Sequence, residues 1–231
     1  MNGLIESVKL HLPFVLEFLG VIVALFVVAL LLEKLAQKKR GVKEPVFGTR
    51  KVAMIGMFSA ISTILMLFEI PLPFAPFFYK LDFSELPVLV GTFAFGPAAG
   101  VMMEFVKILL KLLFKGTSTA FVGELANFAV GCSFILPAAV VYAFRKTKKT
   151  ALLACILGTL CMTVFGTAFN AVYLLPAFSR LYHWPLEDLL ALGVQTNSLV
   201  KEGSIVSFVI ACVAPLNLIK GASVSLVTLL I

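Results

Sequence analysis

From Leu12 to Leu32 the chain carries a single charge, Glu17, and that run is close to the ~20 apolar residues a helix needs to cross a bilayer. Further apolar runs follow to the C-terminus, separated by short polar linkers. In hydrocarbon a backbone satisfies its own polar groups only as a helix or a closed barrel, and runs of this length read as helices. Hydrophobic residues make up 61% of the 231 and charged residues 13%, against roughly 45–50% and 25% in soluble domains. The chain is therefore expected to be an all-α integral membrane protein, one membrane domain with short loops. A cleaved leader is the competing reading of the first run. Its basic flank is weak, the run is long and no A-x-A site follows, so a retained helix is expected.

The net charge of +7 is explained by position. Lys34, Lys38, Lys39, Arg40, Lys43, Arg50 and Lys51 fill one linker, and Arg145, Lys146, Lys148 and Lys149 another. Eleven of the nineteen basic residues thus lie in two linkers, which the positive-inside rule places in the cytoplasm. No nucleic-acid partner is called for. Cys132, Cys155, Cys161 and Cys212 lie in apolar segments without a CxxC pair or a His cluster, so neither a metal site nor a disulfide framework is expected. His11 and His183 are expected at the membrane interfaces.

The second span is expected over Val52–Phe68, ending at Pro71, Pro73 and Pro76, which a helix cannot continue through. An outer loop then runs to Ser84, whose side chain is expected to cap the next helix with Glu85 and Pro87 beside it. Leu86–Phe95 is short and turns at Gly96-Pro97. Ala98–Phe114 follows, and then Ala120–Phe144. Ala151–Leu175 is expected to stop at Pro176. Residues 177–195 read as an interfacial loop, 198–214 as a helix on the outer face, and the last span as running inward from about Leu216. Seven spans place the N-terminus outside and the C-terminus inside.

Several polar groups interrupt these runs. Asn217 and Lys220 sit at i, i+3 and share a helix face, and an intramembrane Lys costs a few kcal/mol unless it is paired or lines a wet cavity. Asn127 and Asn170 are isolated in their own apolar segments. Together they suggest a polar, ligand-sized cavity between helices. Glu104 and Lys107, with Lys111 a turn beyond, read either as an internal ion pair with Lys111 snorkelling or as substrate contacts. Glu124 and Asn127 form a similar pair near the outer end of their helix. In the second span Ala53, Gly56, Ala60 and Thr63 form a stripe of small residues that lets helices approach closely, either within this chain or against another membrane protein. Motifs of hydrolytic, redox or nucleotide-hydrolysing machinery are missing from the sequence, so transport would need a partner or an ion gradient.

Five motifs in order, Leu81-Asp82-Phe83-Ser84-Glu85-Leu86-Pro87, Phe95-Gly96-Pro97-Ala98-Ala99-Gly100, Gly123-Glu124-Leu125-Ala126-Asn127-Phe128, Phe169-Asn170-Ala171-Val172-Tyr173-Leu174-Leu175-Pro176 and Pro215-Leu216-Asn217-Leu218-Ile219-Lys220-Gly221, resemble the riboflavin-binding S components of energy-coupling factor (ECF) vitamin transporters. The resemblance covers about residues 50–231. It implies a six-helix substrate-binding domain (51–231), preceded here by an additional transmembrane helix and basic linker (1–50). It implies riboflavin as a transported ligand rather than a cofactor, held by Asn170, Asn217 and Lys220. Phe77, Phe78, Tyr79 and Phe83 of a closing loop would supply apolar cover, with Asp82 a polar contact, and Thr117 and Ala120 would lie where a further loop approaches the ligand; Asn127, isolated in its own apolar segment, is expected to line the same cavity. Ala53, Gly56 and Ala60 would dock a transmembrane coupling protein that works with two ATPase subunits in a prokaryotic plasma membrane.

The resemblance thus implies a capture subunit without catalysis. Lys220 is expected to donate to a flavin carbonyl or ribityl hydroxyl. A phosphate is the alternative acceptor, which keeps flavin mononucleotide open as ligand, as is another vitamin. A membrane enzyme using Glu104, Glu124 and Lys220 on a lipid-like substrate is the reading from a different class.

Overall fold

The computed structural model describes residues 12–41, 45–117 and 119–231; His11, Lys43 and Ser118 lie outside them. Among the described residues eight helices follow in order: α1 (Leu12–Arg40), α2 (Thr49–Leu67), α3 (Glu85–Phe95), α4 (Pro97–Lys115), α5 (Val122–Phe144), α6 (Lys148–Tyr182), α7 (Leu186–Thr196) and α8 (Ile205–Leu230). Between α2 and α3 the outer loop closes on itself through a two-stranded antiparallel ladder of β1 (Ile70–Pro71) and β2 (Lys80–Leu81). α1, α2, α5, α6 and α8 are each long and apolar enough to cross a membrane. α4 carries Glu104, Lys107, Lys111 and Lys115, and those charges need partners inside the protein. The chain is a multi-pass membrane protein with a six-helix core of α2, α3, α4, α5, α6 and α8.

α5 packs on α6, α6 on α8, and α4 on α2 and α5. Phe128, Phe134, Met103, Ile108 and Met162 fill the space between them and are almost wholly buried. The additional helix α1 lies along α4 and α5. Phe18 meets Phe128 edge-on at 6.0 Å, while Leu16, Val23, Val27 and Leu31 face outward, as a lipid-facing side would. Glu33 is the surprise of α1. The sequence places it at the edge of the basic linker, yet it is 3% exposed, accepting from Lys51 at 2.8 Å and from the Ala98 amide at 3.0 Å. It thereby caps α4, whose first N–H groups have no partner within the helix. Gly96 has φ +98° and lies against that carboxylate.

The gap between α3 and α4 at Gly96-Pro97 is as the sequence predicts. At 11 residues α3 rises only about 16 Å, half of the ~30 Å hydrocarbon thickness. Its first residues, Ser84 and Glu85, therefore sit deep in the domain, and both are at most 2% exposed.

Two expectations fail at prolines. Pro176 does not end its helix: residues Asn170–Leu174 form a π-turn, and α6 continues to Tyr182. Residues 198–214 are not a separate outer helix either. From Ile205 they belong to α8, which passes Pro215 through a second π-turn at Val209–Val213. The cause is the same in both. A proline ring clashes with the carbonyl four residues earlier and cannot donate to it, and a widened turn moves that carbonyl aside. At Pro215 the freed carbonyl is that of Ala211, and the Asn197 side chain donates to it at 3.1 Å. The helix on the outer side is α7, which begins within the stretch 177–195 that reads as a loop and ends just past it, at Thr196.

Candidate ligand-binding cavity

Between the outer loop and the outer halves of α4, α5, α6 and α8 lies a cavity of about 830 Å³, within the 300–1,000 Å³ usual for small-molecule sites. Its floor is built from charges that the short α3 brings inward. Lys220 of α8 donates to Asp82 at 3.0 Å and Glu85 at 2.7 Å. Behind them Lys107 meets Glu85 at 3.3 Å and Glu104 at 2.5 Å. These five groups are buried, and a buried charge is tolerable only when paired in this way. Glu104 thus pairs with Lys107, as the sequence suggests. Lys111 does not snorkel: it reaches Glu124 at 3.0 Å. Close approach is needed here, because a Cβ on Gly131 would fall 2.8 Å from the Glu104 carboxylate.

Three asparagines face the cavity in different states. Asn170 is oriented by two bonds: its Oδ1 accepts from the Tyr79 hydroxyl at 2.7 Å, and its Nδ2 donates to the Gly166 carbonyl at 2.7 Å. Burial pushes the Tyr79 phenol well above its ordinary pKa, so it remains a donor. Asn127 donates to the Gly123 carbonyl at 3.0 Å. Asn217 is 4% exposed and its Nδ2 has no hydrogen-bond partner among the described residues. Its amide lies against Gly166, where an added Cβ would come within 2.5 Å of Nδ2. Gly166 therefore makes room for Asn217, a role the sequence does not signal.

At the rim, Glu69 accepts from Lys80 at 2.8 Å and Lys115 at 3.2 Å, which ties the loop to the end of α4. Burial raises the Glu69 pKa, and the two lysines outweigh it and hold the carboxyl below its ordinary value. Thr117 lines the cavity and donates to Glu124 at 3.0 Å while accepting from the Phe121 amide at 3.1 Å. Phe77, Phe78, Phe178 and Trp184 supply apolar wall.

The structure gathers Tyr79, Asp82, Thr117, Asn127, Asn170, Asn217 and Lys220 around this one space. It does not bring Phe83 or Ala120 to the wall. Phe83 packs against the main core, and Ala120 sits in a left-handed turn, φ 46°, beside Phe121 at φ 69°. Ser84 is not a side-chain cap. It is helical itself and donates to Glu85 at 3.0 Å, while its amide donates to Asp82 at 2.9 Å. Trp184, read from the sequence as loop, lines the mouth.

On the far side of the fold α2 has two unlike faces. Ala53, Gly56 and Ala60 are exposed, and a Cβ on Gly56 would meet nothing within 4 Å. Thr63 does not join them: it is 2% exposed, bonded to the Ser59 carbonyl at 2.7 Å. Among the described residues, therefore, nothing packs over the small stripe.

The family "ECF transporter, substrate-specific component" matches residues 50–231. The chain is 31% identical to the riboflavin transporter FmnP of Bacillus subtilis over 183 residues, covering 79% of this chain and 90% of that protein. It is 32% identical to the riboflavin transporter RibU of Staphylococcus aureus over 182 residues, 79% of this chain and 88% of that one. Among solved structures, the S component of a bacterial ECF transporter superposes with a TM-score of 0.60 at 34% identity, over 78% of this chain and 92% of that chain. The match starts at the foot of α2, where the six-helix core begins and α1 has ended, and the chain belongs to the family of ECF transporter substrate-specific components.

Proposed function

We propose that this protein captures riboflavin at the outer face of a prokaryotic plasma membrane, for uptake driven by an energy-coupling module. The observation that carries the reading is Asn217: its buried amide nitrogen has no hydrogen-bond partner among the described residues, and the residue lines a ligand-sized cavity together with Lys220 and Asn170. Leaving such a group unsatisfied costs about 1–3 kcal/mol, which a ligand acceptor placed there returns. A flavin offers ring carbonyls and ribityl hydroxyls to such groups, and Phe77, Phe78 and Phe178 cover its apolar surface. The relatives named as riboflavin transporters support the same choice.

No chemistry is assigned to the chain. Its work is equilibrium capture followed by loop closure. Flavin mononucleotide suits the floor less well, because Lys220 is already neutralised by Asp82 and Glu85, and a phosphate there would meet both carboxylates. Residues 51–231 form the capture domain, and α1 is held to it by Glu33 and Phe18. The exposed stripe of Ala53, Gly56 and Ala60 serves to dock a transmembrane coupling protein, which two ATPase subunits drive. The basic linkers orient the chain in the bilayer and need no nucleic acid.

The test is the absorption spectrum of detergent-purified protein from riboflavin-fed cells, then titration of stripped protein with riboflavin and flavin mononucleotide. A yellow preparation with quenched flavin fluorescence, lost in Asn217→Leu and Lys220→Met, is expected. Protein that quenches neither flavin overturns the assignment.

A further inference from the structure

We infer that Ser62 is a positioning residue that links occupancy of the cavity to the outward face of α2. The inference rests on the capture function proposed above. Ser59, Ser62 and Thr63 line the buried face of α2, each at most 2% exposed. The hydroxyls of Ser59 and Thr63 bond to α4, at the carbonyls of Met103 (3.3 Å) and Lys107 (3.4 Å). Ser62 is different: it donates to the carbonyl of Ser84, the residue at which the outer loop returns to the core.

Ser84 is in turn joined to the cavity floor. Its amide donates to Oδ1 of Asp82 at 2.9 Å, and Oδ2 of Asp82 accepts from Lys220 at 3.0 Å. Three successive hydrogen bonds therefore run from Lys220, through both ends of one carboxylate and both faces of one residue, to the C-terminal third of α2. Asp82, Ser84, Ser62 and Lys220 are all buried, so water does not readily replace a broken link, and an orphaned group would pay its full desolvation cost. Both Lys220 and Asp82 line the cavity. A ligand that bonds either one differs in its contacts between the two states of this chain of bonds, which is what shifting an equilibrium requires. Ala60, two residues before Ser62, is on the exposed face of the same helix. Displacement of Ser84 therefore reaches Ala60 through a rigid helical turn.

The test uses the full chain in detergent, with Ala60→Cys as a thiol probe in a Cys161→Ala background; Cys132, Cys155 and Cys212 are buried. Thiol labelling is timed with and without saturating riboflavin, and binding is followed separately by flavin quenching. Riboflavin is expected to change the labelling rate about fivefold, the low end of ordinary coupling between sites. With Ser62→Ala added, quenching persists and the change in rate disappears. With Ser59→Ala added, which removes a neighbouring buried hydroxyl bond that does not lead to the loop, the change remains. Quenching without any change in the Ala60→Cys rate, or a change that survives Ser62→Ala, overturns the inference while leaving capture intact. A change lost equally in Ser59→Ala also overturns it, since loosened packing then accounts for both. No quenching in the parent overturns the flavin reading, and this inference with it.

Discussion

Lys220 and Asp82 are 138 residues apart in the chain and 3.0 Å apart in the fold. One belongs to the last helix and the other to the first outer loop, so their ion pair draws the two ends of the capture domain together at the floor of the cavity. Replacing Lys220 with Met strands the buried Asp82 carboxylate and leaves Glu85 with Lys107, at 3.3 Å, as its cationic partner. Loss of one partner of a buried pair costs about 3–5 kcal/mol. Thermal unfolding in detergent should show a clear drop for Lys220→Met, partly recovered in Lys220→Met/Asp82→Asn. Flavin quenching should recover in neither.

Gly166→Ala separates packing from binding. The new methyl would lie 2.5 Å from Asn217 Nδ2, so the amide must swing away. The helix itself tolerates Ala better than Gly. We expect helical content by circular dichroism to be unchanged and riboflavin affinity to fall by roughly tenfold or more, about the loss of one hydrogen bond.

Glu33→Gln tests the additional helix. The substitution weakens the link to Lys51 and the cap on Ala98 together, and an N-terminal cap alone is worth ~1 kcal/mol. Thermal stability should fall, and flavin affinity should not, because Glu33 lies at the inner end of the domain, beside Gly96. An unchanged melting temperature would mean that α1 is not coupled to the core through this residue.

The rim pairs carry a pH dependence. The Glu69 carboxyl is held below its ordinary value, so the grip of Lys80 and Lys115 is fully present above the usual carboxylate range near pH 4. It is lost as pH falls through that lowered value. Exposure of the lysines keeps the effect small. Riboflavin dissociation, timed by recovery of fluorescence, should quicken on acidification below about pH 4. Glu69→Gln should release faster at neutral pH and lose that part of the dependence.

Gly56→Leu should spare flavin binding and abolish co-purification with a transmembrane coupling protein. Its Cβ points into open space, so the domain tolerates the side chain, whereas a close helix contact would not. Co-purification at the parental level would remove this face from docking.

Apolar run length and basic linkers made the spans and their order legible, and the break at Gly96-Pro97 was legible as well. Isolated polar residues marked the cavity, since Asn170, Asn217 and Lys220 have no cause to sit in hydrocarbon unless they meet something. What could not be read was partnership across the chain. Glu33 looks like the start of a solvated linker until Lys51 and Ala98 are placed beside it. Pro176 and Pro215 look like helix ends because a π-turn leaves no composition signal, and the rescue of the Ala211 carbonyl comes from Asn197 in a different segment. Thr63 belongs by size to the stripe of Ala53, Gly56 and Ala60, and only the packing of α4 turns it inward.

The length of α3 sets a chemical dimension. Its 11 residues fix how deeply Asp82 and Glu85 are planted, because the helix is anchored below at Gly96 against Glu33. An inserted turn would raise both carboxylates by about 5 Å, out of reach of Lys220, and leave that ammonium alone in the interior. The proposed capture site thus depends on a ruler as well as on side chains: on a longer α3 the same two carboxylates would stand above the floor, with Lys220 unpaired beneath them.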